Sequence, residues 1–393
     1  MNTATSKKKT YFYGRQNIGK DDVEMACSAL HSDFLSQGPK LYEFERKVAE
    51  YCGVKYCVAV ASGTAALHLS CKALGLGEGD IGWTSPLSFV ASANCIRYCG
   101  ASVDFVDIDL GTFNIPPANI KEKFEKAKKV NRLPKILVPV HFAGQSCDMR
   151  KIREIANEHE CRIVEDACHA LGGEYEGQRI GCCEYSDITV FSLHPVKSIT
   201  TGEGGLILTN DEELYEKTRV MRGHGIVRGS ELGDKCEEPW RAEMQSEGYN
   251  YRITDFQCAL GISQLRKLDS FIAKRRMLAE RYRKWLKNMP VDFQKALGAA
   301  RSACHIFVIL IDFGRIERSK RKFYEEMKAR NINLAVHYYP IHLNPFYQKL
   351  GFKGGMFPVC EEYYSKAFTL PLHTHLDMED VDYICEQIQS VIN

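Results

Sequence analysis

"FSLHPVKSITTGEGGLILTND", Phe191 to Asp211, is the stretch that decides how this chain is read. Two β-type runs flank a short loop that carries one lysine, Lys197. Thr200, Thr201, Gly202, Gly204 and Gly205 surround it. An ordinary surface turn needs one Gly or Asn. This one holds three glycines and a glutamate, with a His-Pro pair just before the lysine. The gap between "SDITVFSL" and "GLILTN" is too short for a helical crossover, so the two runs are expected to pair antiparallel. A compact loop at a sheet edge holds a lysine with little freedom. Partial desolvation there lowers the pKa of the amine and makes it a nucleophile toward carbonyls. The ordinary alternative is a solvated lysine, so other positions must decide.

Upstream, strand and helix patterns alternate. "LYEFERKVAEYCG" has helical spacing and stops at Gly53. "KYCVAVAS" is a strand, and "GTAALHLSCKALG" a helix closed by Gly75. "SVDFVDID", "KILVPVHFAG" and "RIVEDA" are strands, with "CDMRKIREIANEHEC" helical between the last two. The alternation predicts an α/β fold, a mostly parallel doubly wound sheet with one antiparallel strand. From about Leu265 the texture changes. "LRKLDSFIAKRRMLAERYRKWLKN" reads as one long basic helix. Then come "CHIFVILIDF" (strand), "KFYEEMKARN" (helix), "INLAVHYYP" (strand) and a last helix, Met378 to Ile392, with Val381, Ile384, Ile388 and Val391 on one face. The expected division is an N-terminal segment (1–30), a large domain (31–265) and a smaller α+β domain (266–393).

The 393 residues are 45% hydrophobic and 26% charged, the balance of a globular protein with a large core. A net charge of +2 gives no nucleic-acid surface. No run approaches the roughly 18 apolar residues of a membrane span. The start, "MNTATSKKKT", lacks the apolar stretch of a signal peptide and reads as frayed. The 16 cysteines include no CxxC pair and suggest no metal site. Cys57, Cys71, Cys95, Cys258 and Cys385 lie in apolar runs, and Cys182-Cys183 reads as buried filler. The expectation is a reduced, cytoplasmic enzyme.

Ligands of open α/β sheets sit beyond the carboxyl ends of the strands. After the strand ending at Ala61, Ser62-Gly63-Thr64 opens a helix and forms an anion cup suited to phosphate; the common alternative is a simple N-cap. After "RIVE" comes Asp166, a carboxylate in an apolar segment that needs a cationic partner, either a structural Arg or a protonated ring nitrogen. His169 follows it; alone it is more often a core residue. In "WTSPLSFVASAN", Phe89 stands where it can stack on a flat ring. Lys197 is the fourth station, and Ser192 is close enough in sequence to help the phosphate cup. Phosphate cup, stacking ring, ring-nitrogen partner and amine together fit pyridoxal 5′-phosphate joined to Lys197 as a Schiff base.

With those residues in hand, the chain resembles the DegT/DnrJ/EryC1/StrS family of fold-type-I pyridoxal-phosphate sugar aminotransferases. "ASGTAALHL", "PLSFVASAN", "VEDACHALGG", "FSLHPVKSITTGEGG", "GYNYRITDFQCALG" and "TLPL" occur in family order. "YGRQ", "SDFLSQGPK" and "HFAGQSCDM" are most similar to members that act in pseudaminic acid synthesis. The resemblance implies transfer of an amino group from L-glutamate, which leaves as 2-oxoglutarate, to C4 of a UDP-linked 4-keto-6-deoxy-2-acetamido-hexose. It implies catalytic roles for Lys197, Asp166 and His169. It implies cofactor contacts from Ser62, Gly63, Thr64, Phe89, Ser192 and, across a homodimer, Asn250. Tyr13, Asp33, Phe34, Leu35, Ser36, Arg252 and His342 resemble sugar-nucleotide contacts. Cys168 and Cys258 replace the usual small residues and raise the question of oxidation. The rival readings are an aminotransferase for a dTDP- or GDP-4-keto-hexose and a catalytically silent regulator. Sugar dehydration is disfavoured because those members carry His in place of the lysine.

Overall fold

The computed structural model describes residues 9–232, 238–316 and 318–392. Its centre is a seven-stranded sheet. The strands are β1 (Tyr56–Val60), β2 (Ile81–Thr84), β3 (Ser102–Phe105), β4 (Ile136–Val138), β5 (Arg162–Asp166), β6 (Ile188–Ser192) and β7 (Gly205–Thr209). Their spatial order is β1-β7-β6-β5-β4-β2-β3. All run parallel except β7, which pairs antiparallel with both β1 and β6. This is the mostly parallel sheet expected from the alternation of strands and helices, with the antiparallel strand where the short loop demanded it.

The strands are short and almost wholly buried, as they must be with helices on both faces. Helices Gly63–Ala73 and Ala91–Tyr98 cover the sheet with small residues, which bring backbones close. Pro39–Cys52 begins with Pro in its first turn and ends on Gly53 in the left-handed region (φ 71°), as its sequence predicts. The Asp255 carboxylate accepts from the Gly38 and Lys40 amides at 2.7 and 3.0 Å and fixes that helix start.

A three-stranded antiparallel sheet (Val291–Phe293, Phe307–Ile311, Ala367–Leu370) forms the centre of the C-terminal part. Helices Leu268–Leu286, Lys320–Ala329 and Met378–Ile392 flank it, with Val381, Ile384, Ile388 and Val391 all fully buried.

Three readings change. The long basic helix breaks at Arg266–Lys267: Asp255–Leu265 closes there and Leu268–Leu286 begins. "INLAVHYYP" is not a strand. It makes two isolated bridges, Ile332 with Tyr11 and Ala335 with Thr369. Its apolar alternation reflects one side against the core, without a continuous ladder. The chain start is read as frayed up to Thr10, but Lys9 reaches Asp380 at 2.5 Å and Tyr11 is buried; the first eight residues lie outside the described ones.

Candidate active site

The loop after β6 is knitted to itself. Thr200 Oγ1 donates to the Leu193 carbonyl at 2.8 Å and accepts from the Gly202 amide at 2.9 Å. The Thr201 and Leu193 amides close it onto Leu193 and Gly204. Lys197 therefore sits on a rigid turn, its own amide bonded to the His194 carbonyl. Its side chain is half-buried and lines a cavity of about 550 Å³. Among the described residues, no hydrogen bond or ion pair engages its amine. Burial lowers its pKa, and the thiol of Cys168 and the carboxylate of Asp166 partly oppose that.

Asp166 ends β5 inside the cavity and is 5% exposed. Ser92 Oγ donates to its carboxylate at 2.5 Å and the Cys168 amide at 3.2 Å. No ion pair reaches it among the described residues, so the structural-arginine reading is excluded there. A buried carboxylate with only neutral donors is costly, by several kcal/mol, unless a cation enters.

On the opposite side, Ser62 caps helix Gly63–Ala73, its hydroxyl accepting from Ala65 N–H at 3.1 Å. The first amides of that helix lack intrahelical acceptors. Glycine is required here. A Cβ on Gly205 would run into the Ser62 carbonyl oxygen, and one on Gly63 would lie 2.9 Å from Ser192 Cβ. Close backbone approach thus sets the helix start against the ends of β6 and β7.

His169 is held at both ring nitrogens. The Ala143 amide donates to Nδ1 at 3.3 Å, so Nε2 carries the hydrogen and donates to the Tyr338 hydroxyl at 3.0 Å. Burial, then the Lys197 charge, holds the His169 pKa well below the ordinary value. The ring is neutral, and the Tyr338 hydroxyl hydrogen is left to point elsewhere. Ala143, at φ 59°, also accepts from the His305 amide at 3.0 Å. That sets the His305 ring 4.5 Å from His169, with Nδ1 buried and unpartnered.

Tyr13, Ser62, Gly63, Thr64, Phe89, Asp166, His169, Ser192 and Lys197 all line this cavity. Asp33, Phe34, Leu35, Ser36, Asn250, Arg252 and His342 do not. Phe34 and Leu35 are more than half exposed. Asn250 is exposed in a bridge with Gly223, and Arg252 pairs with Val60. His342 is fully buried beneath Phe357 and bonds Glu361 at 2.9 Å, so from that loop it is His337 and Tyr338 that reach the cavity. Sequence reasoning did not single out Ser92, His305, His337 or Tyr338. Ser88 and Ser92, four positions apart on either side of Phe89, were only a weak signal for the first. Burial pushes the Cys168 thiol far up, so it is not a reactive thiolate.

These features test the cofactor. An unpartnered desolvated amine, a buried carboxylate lacking a cation and a glycine-lined helix start fit pyridoxal 5′-phosphate. Residues 16–389 match the DegT/DnrJ/EryC1/StrS aminotransferase family. The chain is 38% identical to the spore coat polysaccharide biosynthesis protein SpsC of Bacillus subtilis over 98% of both chains. It is 35% identical to the UDP-4-amino-4,6-dideoxy-N-acetyl-beta-L-altrosamine transaminase of Campylobacter jejuni over 97% of each. The structure of Helicobacter pylori PseC, an aminotransferase involved in the biosynthesis of pseudoaminic acid, superposes with a TM-score of 0.89 at 30% identity, covering 98% of this chain and 99% of that one.

Proposed function

The chain belongs to the DegT/DnrJ/EryC1/StrS aminotransferase family, pyridoxal-phosphate-dependent enzymes that aminate sugars, and from that premise we propose its substrate and the roles of its residues. It moves the amino group of L-glutamate to C4 of a UDP-linked 4-keto-6-deoxy-2-acetamido-hexose, in pseudaminic acid synthesis. The observation that carries the chemistry is the buried Asp166 carboxylate, met only by neutral donors, facing the same cavity as the unpartnered Lys197 amine. The likeness to the transaminase and to the aminotransferase structure supports the choice of sugar.

When bound, the cofactor supplies a carbonyl that takes up an amino group and a ring that draws off electrons as a neighbouring proton leaves. The residues would do the rest. Ser62, Gly63, Thr64 and Ser192 would hold the phosphate, Phe89 would cover the ring, and Asp166 would keep a ring nitrogen protonated. Lys197 would carry the cofactor's carbonyl when no donor is bound. With the donor in place, its free amine would take a proton from the α-carbon of L-glutamate and, in the second half, deliver one to C4 of the sugar. Its lowered pKa leaves a larger share of the amine free to accept that proton. His169, fixed as a neutral donor, holds Tyr338 in place.

Asn250 and Arg252 serve the site of a second copy in a homodimer. Their position outside this chain's cavity supports that reading. The described cysteines are free thiols, in keeping with a cytoplasmic enzyme. No helix among the described residues is long and apolar enough to cross a membrane.

The test is turnover with L-glutamate and a panel of UDP-, dTDP- and GDP-4-keto sugars. The UDP sugar should be aminated. Turnover of a dTDP or GDP sugar alone overturns the substrate. Lys197→Ala should abolish turnover and borohydride-fixed cofactor while retaining some cofactor through the phosphate cup. Near-normal activity in that variant rejects the assignment.

A further inference from the structure

Glu203 lies in the lysine loop, and the chemistry above makes no use of it. It is exposed and lines the rim of the active-site cavity. Its backbone is held firmly. Gly202 before it takes φ 81°, and its carbonyl accepts from Thr201 Oγ1 at 2.7 Å and Gln257 Nε2 at 2.9 Å. The Gln257 amide also completes the capping of helix Asp255–Leu265 through Thr254. The rim position of Glu203 is therefore set by two elements at once.

Its side chain has no hydrogen bond or ion pair among the described residues. It is exposed and lines the same cavity as Lys197. A free carboxylate there repels phosphate, diphosphate and the dicarboxylate donor alike. Among the described residues, Lys197 is the only Lys or Arg lining the cavity to offset it. What a carboxylate attracts at such a rim is a set of neutral donors. A sugar ring with hydroxyls and an N-acetyl N–H offers them, and charge-assisted hydrogen bonds to them are strong.

We propose that Glu203 is a specificity residue that accepts hydrogen bonds from the sugar ring of the nucleotide-linked substrate and makes no favourable contact with the amino donor. This rests on the nucleotide-sugar reading and deepens it. The same carboxylate discriminates against anionic molecules that lack a sugar.

Binding separates the two ideas. Holoenzyme, Glu203→Gln and Glu203→Ala are titrated calorimetrically with UDP, which has no sugar, and with UDP-N-acetylglucosamine, which has no ketone to react. Glu203→Ala should bind the UDP-sugar about tenfold more weakly. Glu203→Gln, which keeps one acceptor oxygen, should lose about threefold. UDP should bind all three within about twofold, or more tightly to Glu203→Ala as repulsion is removed. The rate at which L-glutamate bleaches the visible cofactor band should not fall in either variant. Unchanged UDP-sugar binding overturns the inference, as does an equal loss for UDP and UDP-sugar. A fall in sedimentation mass also overturns it, because Glu203 would then serve contact between copies. If wild type binds neither compound, the substrate reading fails and this inference falls with it. Variants that match a binding-competent wild type sink this inference alone.

Discussion

Ser92 shows how much of the site rests on a single hydroxyl. It holds Asp166 at 2.5 Å from the buried side, also contacts Ser88 at 2.6 Å, and is wholly buried. Removing it leaves one carboxylate oxygen without its neutral donor. Ser92→Ala should weaken cofactor binding by about 1–2 kcal/mol, roughly five- to thirtyfold. Asp166→Ala should cost more. Equilibrium titration of the apoprotein with pyridoxal phosphate measures both, and a Ser92→Ala affinity equal to wild type would remove the hydroxyl from the account. Lys197 and Asp166 were legible in the chain because a lysine among glycines and a carboxylate at a strand end are locally anomalous. Ser92, His305 and Tyr338 were not. A serine on a helix of small residues and a histidine before a strand look like many others, and what marks them is a partner 74 or 169 positions away. His342 shows the converse. "HYYPIHL" holds two histidines five residues apart, and only the fold reveals that the first faces the cavity while the second is sealed against Glu361.

At the scale of elements, β7, second from the edge of the sheet, joins the parts of the site. It runs against β1 and β6 and places the end of the lysine loop on the start of helix Gly63–Ala73. Gly205 makes this possible, since a Cβ at that position would collide with the Ser62 carbonyl and lie 2.8 Å from the Gly63 nitrogen. Backbone cannot step aside as a flexible side chain can. Gly205→Ala should destabilise the protein by about 1–3 kcal/mol or more and weaken cofactor binding together with it. Urea midpoints read the first effect and cofactor titration the second; a wild-type midpoint contradicts the packing described. The antiparallel pairing followed from loop length alone, and helices followed from their apolar spacing and stops. "INLAVHYYP" misled because alternation reports which side is buried and says nothing of whether a neighbouring strand lies within bonding reach.

At the scale of the molecule, three apolar clusters make up the core of the described residues. The largest takes Ile306, Val308, Leu310 and Tyr363 from the C-terminal part onto the main sheet. Buried histidines make the protein sensitive to acid. Burial lowers His68 and His373 to about 4 from 6.5, and holds His169 and His305 well below. Between those values the unfolded chain takes up protons that the folded one refuses. Stability is therefore complete above pH 6.5 and declines as pH falls from 6.5 toward 4. Melting temperatures across that range should fall, and His373→Asn should flatten the slope; a level profile contradicts this. The proposed dimer has its own check at this scale. Asn250→Ala mixed with Lys197→Ala should regain activity, because one intact site forms from two damaged chains. Confirmed mixed dimers without recovery place Asn250 in its own subunit's site.

Tyr11 and Tyr13 lie near the beginning of the chain, yet their backbones bond to Asn331, Asn333 and Leu372, and the Tyr13 ring rests on His337 at the cavity wall. Lys9 closes on Asp380, 371 positions later. During synthesis Tyr11 and Tyr13 must wait, unpaired, until the segment from 331 to 372 has left the ribosome. The wall of the cavity at Tyr13 can therefore close only once the distant segment that carries His337 has been made.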